Sequence, residues 1–197
     1  MHLDPMILLL NYIRSLTDFG DKSWKMLQPA LEKVSFRKDA YLLKEGEVCN
    51  SLFYVGKGYC RSYYLVDGDE RNSAFYFENE IATNVHSFGS GEKSLFAIKA
   101  CEPMEVITFD KQKLIEVSAK CVEIEQLGRN CIRRFTTRQQ EFDNLLRLYS
   151  PKERLLFMER NYPSILQRVS LTQLASFLGI ARETLSRLRK KAVSLIL

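Results

Sequence analysis

Residues Leu171–Lys191 read LTQLASFLGIARETLSRLRKK. Two short helices that meet at a sharp turn need three things. They need apolar residues to close the pair, a small residue where they cross, and a Gly at the bend. Leu171, Leu174, Leu178, Ile180, Leu185 and Leu188 supply the apolar set, and Ala175 is the small residue. Gly179 stands at the bend, where a left-handed backbone costs Gly little. This is helix-turn-helix spacing, in which the second helix enters the DNA major groove. That helix starts near Arg182 and carries Arg182, Glu183, Ser186, Arg187, Arg189 and Lys190. A plain helical hairpin needs the turn and the core. It does not need Arg, Glu and Ser in that order on its exposed face.

The charge distribution agrees. The 197 residues carry a net charge of +5. Residues 1–128 hold 15 Lys and Arg against 19 Asp and Glu, whereas residues 129–197 hold 14 against 5. The basic excess is confined to the part that would meet phosphates.

Upstream, residues 31–110 have a different character. Short runs rich in Val, Tyr and Phe recur: Leu52–Val55, Tyr59–Val66, Ser73–Phe77 and Glu105–Phe109. Turn signals separate them, among them Gly56-Lys57-Gly58 and Asp67-Gly68-Asp69. The spacing predicts an antiparallel sandwich or barrel, with a hairpin turn at Asp67-Gly68. An amphipathic helix is expected before it, over Pro5–Leu16. The apolar run Met6–Leu10 within that helix is too short to span a bilayer.

After Asp110 the period becomes helical. A short helix is predicted over Lys111–Ser118 and a long one over Val122–Leu148. At 1.5 Å per residue the long helix measures about 40 Å. Ile124, Leu127, Cys131, Phe135, Phe142, Leu145 and Leu148 form one apolar stripe. A small barrel alone is not expected to cover so long a stripe, so a second copy is its natural cover. Ser150, Pro151 and Glu153 then open a further helix with a capping box, and Ser170 with Gln173 opens the helix-turn-helix. The domains expected are residues 1–120, a β-barrel with flanking helices, residues 121–149, a dimerisation helix, and residues 150–197, the helix-turn-helix.

This order of parts resembles the Crp/Fnr family of bacterial transcription regulators over nearly the whole chain. Arg182-Glu183-Thr184-Leu185-Ser186-Arg187 is similar to the family's recognition-helix motif. The resemblance implies an α+β fold: a jelly-roll-like, cyclic-nucleotide-binding-like antiparallel barrel, a long dimerisation helix and an all-α helix-turn-helix domain. It implies that Arg182, Glu183 and Arg187 read bases and that Ser186 adds a contact. Arg forks onto guanine O6 and N7, and Glu accepts from cytosine N4. Arg189, Lys190 and Lys191 would touch phosphate.

The family's barrel binds a cyclic nucleotide through a Gly-Glu pair followed by Arg-Ser. Asn79-Glu80 and Lys93-Ser94 take those places here, with Gln139-Gln140 midway along the long helix. Glu80 would meet a ribose hydroxyl, and Lys93 and Ser94 a phosphate. Asn replaces Gly, however, and Lys lacks the planar fork of Arg. A cyclic nucleotide, another small effector and a ligand-free barrel all remain open. Family members often carry a β-wing after the recognition helix. Here Ala192–Leu197 (AVSLIL) follows Lys191, so the wing is expected to be lacking and the tail to prolong the helix and pack on its neighbour. Ala181 stands where an N-cap hydroxyl is usual, a loss of about 1 kcal/mol.

The resemblance further implies double-stranded DNA, a second copy and RNA polymerase as partners, in the cytoplasm and with no membrane. Five scattered cysteines, Cys49, Cys60, Cys101, Cys121 and Cys131, without a C-x-x-C pair, read as reduced thiols. No metal is expected: no cysteine precedes Cys49 to hold an iron–sulfur cluster, and His86 reads as a surface residue. Glu78 and Glu80 read as a solvated strand face. No catalytic constellation appears, so an enzyme is not expected. The rival reading is an effector-sensing module for a protein partner, whose helix-turn-helix is only structural.

Overall fold

The computed structural model describes residues 4–194, with side chains through Lys190. It divides into two compact units, Met1–Tyr64 with Phe75–Phe135, and Leu65–Ala74 with Thr136–Leu197. The first unit opens with α1 (Pro5–Leu16) and α2 (Asp21–Leu27), which lead into the strands. Asp4 caps α1 by accepting from the Met6 N–H, and Pro5 supplies its first turn.

Eight strands follow: β1 (Leu31–Phe36), β2 (Tyr41–Leu43), β3 (Ser51–Lys57), β4 (Cys60–Val66), β5 (Asp69–Tyr76), β6 (Ile81–Ala82), β7 (Ala97–Ala100) and β8 (Met104–Asp110). They form two four-stranded sheets, ordered β1-β8-β3-β6 and β2-β7-β4-β5. In the first sheet β8 lies antiparallel between β1 and β3, with Phe109 opposite both Leu31 and Leu52. The expected hairpin turn joins β4 to β5. Asp67 and Gly68 both have positive φ, 54° and 86°, as a two-residue turn of matching twist requires. A short helix, α3 (Val85–Ser90), separates β6 from β7 and is capped by Asn84.

Strand alternation gives the first sheet two buried faces. Tyr54, Ile107 and Phe109 share a core with Leu9 and Ile13 of α1 and Leu27 of α2. Phe53, Val55, Met104 and Val106, on the other face, are buried as well. After β8 come α4 (Lys111–Ser118), capped by Asp110, and α5 (Val122–Leu148). Ile124 and Leu127 of α5 belong to the same core as Tyr54.

The stripe on α5, expected to need a second copy for cover, is partly covered by the chain itself. Its first half is covered by the chain's own first unit, with Cys131 and Phe135 partly buried against that core. Its second half is covered in the other unit, where Phe142 and Leu145 are buried. Leu148, by contrast, is exposed. The apolar residues left open elsewhere on the helix are Val122 and Ile132.

The second unit contains the end of α5, then α6 (Pro151–Asn161), α7 (Pro163–Arg168), α8 (Leu171–Leu178) and α9 (Arg182–Ser194). The capping box of α6 is complete: the Glu153 carboxylate accepts from the Ser150 N–H at 2.8 Å, and Ser150 Oγ accepts from the Glu153 N–H. Both contacts hold the Glu153 carboxyl below its ordinary pKa, the Ser150 side chain contributing most. Phe142 lies 5.2 Å from the ring of Phe177 and 5.3 Å from that of Tyr162. These aromatic pairs fasten α5 to α8 and to the turn before α7. Among the described residues no helix is long and apolar enough to cross a membrane, and all five cysteines are free.

Candidate nucleic-acid interface and effector region

The helix-turn-helix closes as its residue pattern requires. Ser170 Oγ accepts from the Gln173 N–H at the start of α8. Leu174, Ala175, Phe177, Leu178 and Leu185 are buried. Ala175 leaves room for the crossing, and its carbonyl accepts from the Ile180 N–H past the turn. Gly179 holds the bend at φ 63°, ψ 36°. That left-handed turn with its six-residue closing bond is a Schellman ending. The Ala181 carbonyl takes the first bond of α9, from the Leu185 N–H, and its methyl side chain cannot cap.

Leu185 turns inward, so the helical period turns Glu183, Arg187 and Lys190 outward; these three and Arg182, in the first turn of the helix, are all exposed. Ser186 is half-buried beside them. Arg187 also donates to Thr184 Oγ1 at 3.4 Å. Arg189 is placed differently: it is half-buried and donates to the Leu166 carbonyl at 3.3 Å, which ties α9 to α7. α9 continues to Ser194, so the first part of the apolar tail does prolong the helix. The side chain of Lys191 and the rest of the tail lie outside the described residues.

Three holding residues escaped the sequence reading. Arg154 on α6 donates to three carbonyls: Tyr149 at 2.9 Å, Leu178 at 2.8 Å and Leu146 at 2.6 Å. Two of these lie at the C-terminal ends of α5 and α8, where carbonyls lack helical partners and the dipole favours a cation. Asn72, in the hairpin segment of this same unit, donates from its N–H to Ser176 Oγ at 3.0 Å and from Nδ2 to the Gln173 carbonyl at 3.3 Å. Ser176 Oγ in turn donates to the Glu70 carbonyl. α8 is thereby pinned at its exposed side. The partners of all three are backbone groups or distant hydroxyls, which leave no local mark in the sequence.

The effector region is a different case. Asn79, at the place of the family's Gly, has φ 65°. Asn tolerates the left-handed region better than other residues with a side chain, so the bend survives without Gly. Its Oδ1 accepts from the Tyr54 hydroxyl at 2.8 Å, and burial pushes that hydroxyl up to about 12. The Glu80 carboxylate, however, folds back to accept from the Phe77 N–H at 2.8 Å. Ser94 is 1% exposed, and its hydroxyl accepts from Asn84 Nδ2 and donates to the Phe96 carbonyl. Lys93 is exposed, its backbone bridged to Val48. Gln139 and Gln140 are exposed on the part of α5 that belongs to the second unit.

Of the groups that would hold ribose and phosphate, Glu80 and Ser94 are thus bonded within the fold, whereas the Lys93 side chain is exposed. They do not fit a cyclic nucleotide as arranged. Glu78 likewise is not a solvated carboxylate: it accepts from the Gly58 N–H at 2.8 Å. His86 is exposed, as expected, 3.0 Å from the Glu92 carboxylate.

Residues 33–121 match the cyclic nucleotide-binding domain family. Over most of the chain the structural neighbours are Crp/Fnr family regulators. FixK2 from Bradyrhizobium japonicum superposes with a TM-score of 0.68 at 22% identity, covering 84% of this chain and 85% of that one. CLP from Xanthomonas campestris, a c-di-GMP-responsive global regulator, superposes with a TM-score of 0.69 at 14% identity, covering 89% and 92%. The catabolite activator protein of Thermus thermophilus covers 97% of this chain and 87% of its own, with a TM-score of 0.57 at 16% identity. No curated protein matches the chain in sequence. At these identities the likeness is one of fold, and function rests on the residues themselves.

Proposed function

We propose that this chain is a DNA-binding transcription regulator of the Crp/Fnr type. It works as a homodimer on a two-fold symmetric site. The observation that carries the reading is the exposed face of α9. Arg182, Glu183 and Arg187 stand together beyond a closed helix-turn-helix core, and packing gives no reason for that set. Arg182, Glu183 and Arg187 read base edges, with Ser186 beside them, and Lys190 holds phosphate. Arg189 steadies the recognition helix through the Leu166 carbonyl. The face of α5 bearing Val122 and Ile132 is the seat of the second copy. Control by a small effector fits the domain, whereas the Glu80, Lys93 and Ser94 groups argue against a cyclic nucleotide. RNA polymerase is the natural further partner of such a regulator, and the cytoplasm its compartment.

Selection from a random duplex library tests this. The expected product is a palindrome with half-site centres roughly 34 Å apart. Glu183→Ala and Arg187→Ala each lose about 1–3 kcal/mol of base discrimination. Lys190→Ala weakens all sequences alike and flattens the salt dependence. A library that enriches no palindrome defeats the proposal. Identical behaviour of Glu183→Ala and Lys190→Ala defeats the division of roles.

A further inference from the structure

We propose that the hairpin between β4 and β5, residues 65–74, is an acidic latch that holds the helix-turn-helix in a DNA-free state and leaves α8 when DNA binds. The proposal rests on the DNA-binding reading and concerns its control. The chain path is the first observation. β4 and β5 are neighbours in the second sheet, and the first unit keeps residues 60–64 of β4 and 75–76 of β5. Leu65–Ala74 belongs instead to the compact unit that contains α8 and α9. A piece of the sheet is thus built into the helix-turn-helix unit.

The bonds that fasten it to α8 are polar. The Asn72 N–H donates to Ser176 Oγ at 3.0 Å, and that hydroxyl donates onward to the Glu70 carbonyl at 3.1 Å. Asn72 Nδ2 donates to the Gln173 carbonyl at 3.3 Å. Apolar burial adds little, since Leu65 is 56% exposed and Val66 43%. Each hydrogen bond replaces one made with water, so its net contribution is modest. Segments with few buried apolar contacts are the ones that open first. The contact places the hairpin and still lets it go.

Charge decides what the latch opposes. The hairpin carries Asp67, Asp69 and Glu70 against Arg71, and all four are exposed. Residues 136–197 hold 11 Lys and Arg against 5 Asp and Glu. The unit that has to meet phosphates therefore carries its own anionic segment, seated on α8. In a helix-turn-helix the first helix crosses the DNA backbone. Glu70 itself touches α8, so phosphates laid across that helix stand within about one screening length of these carboxylates, and like charges repel. Hairpin and DNA compete for α8, and the pinned arrangement is the one without DNA.

The test measures DNA affinity and hairpin opening in the full chain. Fluorescence anisotropy with a mixed-sequence duplex at low salt reads the first, and amide exchange of the Asn72 N–H reads the second. Ser176→Ala removes both hydroxyl bonds, changes no charge and favours the helix. It should bind DNA about fivefold more tightly, because apparent affinity rises with the fraction of chain already open. Asp67→Asn with Asp69→Asn should tighten binding by about tenfold at low salt, and the gain should vanish at high salt. Asp143→Asn removes an exposed carboxylate of α5 in the same unit and should change affinity by no more than about twofold. In the parent, DNA should speed exchange of the Asn72 amide. Should Ser176→Ala lower the melting temperature, the aspartate pair, which leaves α8 intact, decides alone.

Unchanged or weaker binding by a stable Ser176→Ala overturns the proposal, as does slower Asn72 exchange with DNA bound. An Asp143→Asn gain equal, per charge, to that of the hairpin pair overturns it too, since charge anywhere in the unit would then suffice. In each of these cases a loss of sequence preference in Arg187→Ala leaves the DNA-binding reading standing. If neither the parent nor Ser176→Ala binds DNA while the variant's Asn72 amide exchanges faster, the hairpin opens with no DNA binding to control, and both readings fall.

Discussion

Replacement of Arg154 by Ala should loosen the helix-turn-helix from a distance. Its guanidinium bonds three carbonyls on three segments: Leu146 in the last turn of α5, Tyr149 just beyond it, and Leu178 at the end of α8. Hydrogen bonds to a charged group contribute about 1.5–3 kcal/mol each when buried. Arg154 is only half-buried, and water can reach some of the freed carbonyls. The sum is therefore well below three full bonds, and we expect a loss of about 2–4 kcal/mol. With a urea slope of about 2 kcal/mol/M, the midpoint falls by about 1–2 M. Arg154→Lys keeps the charge but reaches at most one carbonyl, so it should recover less than half of the loss. Arg154→Met keeps the aliphatic stem and isolates the packing contribution. Amide exchange resolved by segment is the sharper assay, because two units need not unfold together. Protection should fall in α8 and α9 and stay unchanged in β3 and β8. A midpoint shift under about 0.3 M for Arg154→Ala, or full recovery by Lys, would refute the reasoning.

Gly179→Ala forces a β-carbon into the left-handed region, where the nearest atom, Arg154 Nη1, is 3.7 Å away. The cost is therefore conformational alone, about 1 kcal/mol, and Gly179→Asn should lose less, as urea melts would show. Burial pushes the Cys101 and Cys131 thiols up to about 11 from an ordinary value near 9. The folded state then holds these protons more tightly than the unfolded one, so this contribution is full below pH 9 and is lost as pH rises towards 11. Cys131→Ala should flatten that alkaline decline, measured as urea midpoint against pH. On α5, Ile132→Arg should give monomers by light scattering with an unchanged helical signal, since Ile132 is 53% exposed. Leu127→Glu should unfold the first unit, because Leu127 is 6% exposed in its own core. A dimer that survives Ile132→Arg would move the interface elsewhere.

The helices that local chemistry ends are legible in the amino-acid sequence. α1, α4 and α5 have the residue bounds that their caps and periods predict. Asp4 and Asp110 announce two of these starts, and Ser150-Pro151 marks the break after the third. The short elements α2, α3 and α7 are not legible. They have six or seven residues each, too few for a period to show, and packing holds them. The α5 stripe is apolar, as its period implies, but it is not uncovered. Period tells which residues share a face, not what lies against it. Glu183, Arg187 and Lys190 of α9 can be read for the same reason, because helical phase places them opposite Leu185. Arg154, Asn72 and Ser176 cannot, since their bonds join segments far apart in sequence.

The effector region shows why residue types in the right order can mislead. Asn79 reproduces the left-handed bend that Gly would make, and that is a requirement of the chain path. Glu80 and Ser94 keep the expected identities, yet each satisfies a neighbouring backbone group. The Ser94 hydroxyl donates to the Phe96 carbonyl and accepts from Asn84 Nδ2 and the Phe96 N–H, which fills its one donor and both acceptor sites. To bind phosphate, Ser94 would have to break its bonds to Asn84 and Phe96. Each release leaves a partly buried polar group unpaired, at about 1–3 kcal/mol. A phosphate must recover that cost through Lys93, an exposed point charge without the two-pronged grip of Arg. The family match over residues 33–121 therefore describes a strand scaffold that this sequence maintains by other means.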